Sequence, residues 1–112
     1  HNKAIMKEGK TMMDLYQEMW TSKKVTGKRF CQCGSCKAHW EGFIGMELKE
    51  QNCSAKGCTN RVTVGGHIVS ENYPEGYIVP LCDSCNQSDK TFEVKPNTLF
   101  VSADLSVTCE EE

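Results

Sequence analysis

The sequence predicts a small α+β domain drawn together at cysteine-rich turns. Three observations lead there. An apolar pattern of helical period runs over residues 3–22, short strand patterns separated by Gly, Pro and Asn run from 61 to 107, and two cysteine pairs bracket the central strands. The chain of 112 residues has the size of one domain. Its 38% hydrophobic content makes a thin core for that length, so a metal or a covalent cross-link is expected to supplement it.

Along residues 3–22, Ile5, Met12, Tyr16, Met19 and Trp20 fall near one helical face, with Lys7, Lys10, Asp14 and Glu18 mostly elsewhere. Thr21, Ser22 and Gly27 are the expected stop. This divides the chain into an N-terminal amphipathic helix over 1–24 and a zinc-binding domain over 25–112. The Met and aromatic face either packs on the domain or, because methionine adapts to varied surfaces, meets a protein partner. Residues 61–64 and 67–69 alternate as strands, with Gly65-Gly66 expected as a bulge or tight turn between them. Residues 70–76 read as a loop and 77–79 as a buried strand that Pro80 stops. A short helix is expected over 86–90, with further strands over 91–94 and 99–107.

Eight cysteines far exceed ordinary usage. Cys53-x4-Cys58 and Cys82-x2-Cys85 each place two thiols on one tight turn, as a tetrahedral zinc site requires. Gly57 permits the backbone reversal before Cys58, and Cys82-Asp-Ser-Cys85 stands where a helix should start, whose free N–H groups favour thiolate. A cysteine turn, a hairpin, and a helix carrying the last ligands form the treble-clef arrangement. With all four positions filled by protein, such a zinc is structural. Disulfides are the rival use of an even cysteine count and would place the protein among secreted, cysteine-stapled effectors. Thiols this close in sequence suit a shared metal better.

A second cluster offers Cys31, Cys33, Cys36, His39 and Cys109, five candidates for four places. Cys36 and His39 share a face if helical, and either can bind zinc. Around this cluster Lys23, Lys24, Lys28, Arg29 and Lys37 occur with no acid among residues 23–40, flanked by Phe30 and Trp40. Basic charge with interleaved aromatics is what phosphate and base contacts use, so this stretch is a candidate nucleic-acid surface.

From Cys53 to residue 90, the order Cys-x4-Cys, Gly66-His67-Ile68-Val69, then Ile78-Val79-Pro80-Leu81-Cys82-x2-Cys85-Asn86 resembles the zinc-containing HNH endonuclease family. The resemblance covers residues 53–90, about a third of the chain. It implies a ββα fold in which His67 occupies the position of the general base and Asn86 that of a ligand for a catalytic Mg2+ or Mn2+. The family's acidic residue before the base is here Gly66, and its orienting asparagine is here Tyr77. Phosphodiester cleavage needs a cation to neutralise the leaving group, and the loss of that acid removes a ligand for it. The expectation is a zinc-stabilised HNH-like module that no longer catalyses and that binds protein or nucleic acid. The alternative is a metal-dependent endonuclease with His67 as base.

A formal charge of −2 excludes a general attraction to nucleic acid, so any such contact is local. Apolar runs of three or four residues exclude a transmembrane helix within this sequence. The lack of a visible leader suggests the cytoplasm, or secretion if the cysteines are oxidised.

Overall fold

The computed structural model describes residues 12–23 and 36–103, except the side chains of Met12, Met13 and Cys36. Its elements are α1 (Met12–Tyr16), β1 (Thr21–Ser22), α2 (Cys36–Ile44), β2 (Val64–Ser70), β3 (Tyr73–Leu81), α3 (Asp83–Gln87) and β4 (Val101–Ser102), with a single 3-10 turn at Leu48–Glu50. Helices beside one antiparallel sheet bear out the α+β class. The sheet runs β1-β2-β3-β4. Among the described residues no helix is long and apolar enough to cross a membrane.

The hairpin of β2 and β3 is the centre of the molecule. Val64 pairs with Leu81, Gly66 with Val79, His67 with Ile78 and Ile68 with Tyr77. Gly65 and Gly66 therefore continue one strand and do not turn it. The register then jumps to Ser70 opposite Tyr73, leaving 74–76 as a bulge on β3. Gly76 has φ of 75°, a conformation open chiefly to glycine, and any Cβ there would stand 2.1 Å from the Ile68 carbonyl oxygen.

Pro80 does not stop β3, which runs on to Leu81. The reason lies in which way its amide faces. The Pro80 carbonyl accepts from the Ser54 N–H at 2.9 Å, whereas the Leu81 carbonyl accepts from Thr63 on the β2 side. The missing N–H of Pro80 thus faces away from β2, where no sheet hydrogen bond is lost.

The N-terminal helix ends earlier than its periodicity suggests. Of the expected span 3–22, residues 3–11 lie outside the described residues, α1 ends at Tyr16, and 20–22 turn into the sheet. Trp20 exchanges two backbone hydrogen bonds with Phe92, at 2.8 and 2.9 Å, and its indole N–H donates to the Leu15 carbonyl at 3.1 Å. Its ring is fully buried, stacked on Tyr73 at 5.6 Å between centroids and edge-on to Tyr77 at 5.9 Å. Phe100 closes this cluster against Tyr77 at 5.5 Å. Each such pair adds about 0.5–1.5 kcal/mol to the area buried, enough to outweigh a mid-range helical preference. The segment around Trp20 is therefore core.

Helix α2 packs against β2, β3 and β4. Trp40 is fully buried, its N–H donating to the Leu99 carbonyl at 2.9 Å, so it cannot stack on a base as the sequence suggested. The helix ends at Gly45, whose φ of 84° and hydrogen bond to the Glu41 carbonyl form a glycine C-cap. The expected helix over 86–90 lies earlier, at Asp83–Gln87. The expected strand over 91–94 is reduced to two isolated bridges, Trp20 with Phe92 and Ala55 with Val94. Only Val101 and Ser102 of the last expected strand lie in the sheet, and residues from 104 on are outside the described ones.

Candidate metal centre

Two turns deliver four thiols to one point. In the first, the Cys58 N–H bonds the Ala55 carbonyl at 3.0 Å across Gly57, whose φ is 86°. That turn is pinned to the rest of the fold by Ser54 on Pro80, by Lys56 N–H on Glu93 and by Lys95 N–H on Ser54. In the second, Cys82 is the N-cap of α3 and its sulfur accepts from the Cys85 N–H at 3.4 Å.

The sulfurs of Cys53, Cys58, Cys82 and Cys85 all lie within 4.8 Å of one another, and those of Cys58 and Cys82 are 3.9 Å apart. A tetrahedron with metal–sulfur bonds of about 2.3 Å has sulfur–sulfur edges of about 3.8 Å. The cluster thus has the size and donor set of a four-thiolate metal site. The four cysteines are not joined as disulfides, and their grouping is compatible with a shared metal.

Hydrogen bonds are aimed at the sulfurs. Cys53 accepts from the Cys82 N–H at 3.3 Å, Cys58 from the Asn60 N–H at 3.4 Å, and Cys82 from the Asn60 side-chain amide at 3.5 Å. Burial pushes the Cys82 thiol up, but donation from Cys85, Asn60 and Cys53 outweighs it and holds the group at about 6. Burial raises Cys53 and, with the neighbouring thiols, Cys85. Cys82 is thus the sulfur that most readily becomes thiolate beside the raised Cys53 and Cys85, and a dication would displace protons from those thiols.

The residues singled out by the resemblance to HNH enzymes lie on β2, β3 and α3. His67 is 9% exposed, and its Nε2 lies 2.9 Å from the Glu75 carbonyl on the β3 bulge. Burial foremost, with the Lys23 charge, lowers its pKa against the opposing effect of that hydrogen bond. Asn86 stands on α3, with the Ser22 hydroxyl 2.5 Å from its carbonyl and 3.2 Å from its Oδ1. At Gly66 a Cβ would lie 2.2 Å from Leu81 Cδ1 and 3.1 Å from Asn86 Oδ1. Asn86 therefore covers the Gly66 face of β2. Side chains alternate along a strand, so His67 leaves the sheet on the other face. Tyr77 pairs with Ile68, shares that residue's face, and belongs to the aromatic core.

Comparison with protein-family models, with curated proteins and with solved structures returns no match.

Of the second cluster, Cys31, Cys33 and Cys109 and the side chain of Cys36 lie outside the described residues. His39 is 2% exposed, with Nε2 3.4 Å from the Ser102 carbonyl, and burial lowers its pKa. Lys23 and Lys37 are exposed, while Lys24, Lys28 and Arg29 are outside the described residues. On the helical face proposed for a protein partner, Met19 is 50% exposed and Tyr16 is half-buried.

Two residues around the centre escaped the sequence reading. Asn60 reaches two sulfurs, and Lys95 donates from Nζ to the Cys58 carbonyl at 2.5 Å. An asparagine two positions after a turn cysteine is a weak signal, and Lys95 is too far along the chain to carry any.

Proposed function

We propose that this chain is a zinc-stabilised, non-catalytic module of HNH-like, treble-clef build that binds a protein or nucleic-acid partner. The observation that carries the reading is the packing at Gly66. The place where the resembling enzymes hold an acidic metal ligand is filled by Leu81 and Asn86. Two facts support it. Nε2 of His67 is engaged by the Glu75 carbonyl, and His67 and Asn86 address opposite faces of β2. Zinc is the metal that best suits four thiolates in a closed tetrahedron. Exposed Lys23 and Lys37 are the described part of the basic surface that would meet phosphate.

The test is a plasmid-nicking assay with Mg2+ or Mn2+ on wild type and His67→Ala, both loaded with zinc. The expected result is no metal-dependent nicking by either. Nicking by wild type that His67→Ala abolishes overturns the proposal in favour of an endonuclease. Fluorescence anisotropy with a labelled DNA duplex at two salt concentrations reads binding separately, and a Lys37→Glu variant weakens it if that surface is used.

A further inference from the structure

We propose that Asn60 clamps the metal centre, holding the Cys58 and Cys82 sulfurs in ligand position and setting how tightly the site keeps its metal. The inference rests on the reading of the four cysteines as a metal site, and it goes beyond that reading by assigning a role to a residue that is not a ligand.

Asn60 is unusual in reaching both halves of the site. Its backbone N–H points at Cys58 on the first turn, and its side-chain amide at Cys82 on the helix cap. Those two sulfurs come from segments 24 residues apart and stand 3.9 Å from each other. One residue thus spans the seam between the two turns, its backbone on one side and its side chain on the other. The chemistry fixes the amide's orientation: a thiolate only accepts, so the NH2 group must face Cys82 and the oxygen must face away.

Four thiolates and one dication carry a net charge of about −2. Each N–H···S contact disperses part of that charge and restrains a sulfur before the metal arrives. Partners of this kind typically change metal affinity by about 10–100-fold. Asn60 is otherwise exposed and lies outside the hydrophobic core. Truncating it therefore removes the contact to Cys82 without opening a cavity, and the backbone contact to Cys58 survives.

The experiment compares wild type, Asn60→Ala, Asn60→Asp and the neighbouring control Thr59→Ala on the whole chain. Zinc affinity is measured by competition with a chromophoric chelator, and the thiolate-to-cobalt charge-transfer bands are recorded after Co2+ substitution. Asn60→Ala is expected to weaken zinc binding about 10–100-fold and to shift those bands. Asn60→Asp is expected to weaken it further, because a carboxylate then faces the thiolates. Thr59→Ala is expected to match wild type. Zinc affinity of Asn60→Ala within twofold of wild type, with unchanged cobalt bands, overturns the assignment while leaving the metal site intact. Wild type that binds neither zinc nor cobalt overturns the metal reading and this inference together. A variant that melts lower without metal but keeps its cobalt bands assigns Asn60 to the fold alone and also overturns the proposal.

Discussion

Gly66→Ala is a one-methyl change whose cost can be worked from the structure. The new Cβ would stand 2.2 Å from Leu81 Cδ1 and 2.9 Å from its Cγ. Carbon atoms in contact sit about 3.5–4.0 Å apart, so Leu81 must retreat by more than an ångström. Leu81 is fully buried at the end of β3, next to the Cys82 cap, and has nowhere easy to go. Overpacking of this kind costs about 1–3 kcal/mol. Replacing a strand glycine recovers about 0.4–1 kcal/mol by restricting the unfolded chain. Midway values leave a net loss of about 1.3 kcal/mol, or roughly 5–10 °C in Tm at about 4–8 °C per kcal/mol. Thermal and urea unfolding at one fixed excess of free zinc measure it, since bound metal raises Tm by mass action. The clash is specific to Leu81, so a double-mutant cycle with Leu81→Ala should show relief of about 1 kcal/mol or more. Gly66→Ala that melts within about 2 °C of wild type, or a cycle with no coupling, refutes the packing argument and weakens the non-catalytic reading built on it.

Three other outcomes are expected. Cys82→Ser should lose the metal and unfold the region around the hairpin, since metal binding supplies folding free energy, and unchanged zinc content and melting would contradict this. Gly76→Ala should cost at least about 2 kcal/mol, from the left-handed backbone and the collision with the Ile68 carbonyl, and urea unfolding with no shift in midpoint would refute it. His39 and His67 both titrate below 6.5 because burial favours their neutral forms. The unfolded chain then binds more protons below pH 6.5, so their contribution is complete above that value and is lost as pH falls through the depressed values. Urea stability from pH 7.5 to 5.5 should decline more steeply in wild type than in His67→Gln, and equal slopes would exclude His67 from the effect.

The four-cysteine cluster was the most legible part of the sequence because ligand spacing is a local property. Cys53, Cys58, Cys82 and Cys85 lie on two short turns, and the close approach of those turns follows from the hairpin between them. Expectations failed where distant partners decide. The helical period around Trp20 gave way to an aromatic cluster built by Tyr73, Tyr77 and Phe100. Gly65-Gly66 looked like a bulge or a tight turn, yet the space at Gly66 is needed for Leu81 and Asn86. Pro80 looked like a stop, because nothing in the sequence shows which side of β3 its nitrogen faces. Asn60 could be found only once the Cys82 sulfur had been placed beside it.

The pairing of β1 with β2 has a kinetic consequence. β2 and β3 meet through the short turn at Glu71 and Asn72, while Ser22 must find Ile68 across a far longer stretch of chain. Closing a loop costs about 0.6 kcal/mol more for each doubling of its length. The hairpin is therefore expected to form before β1 docks onto it. With only two residues paired to β2, β1 is expected to leave first on unfolding. The Lys23 amide, bonded to the His67 carbonyl at 2.7 Å, should then exchange its hydrogen sooner than the Ser54 amide on Pro80, marking an opening that precedes global unfolding.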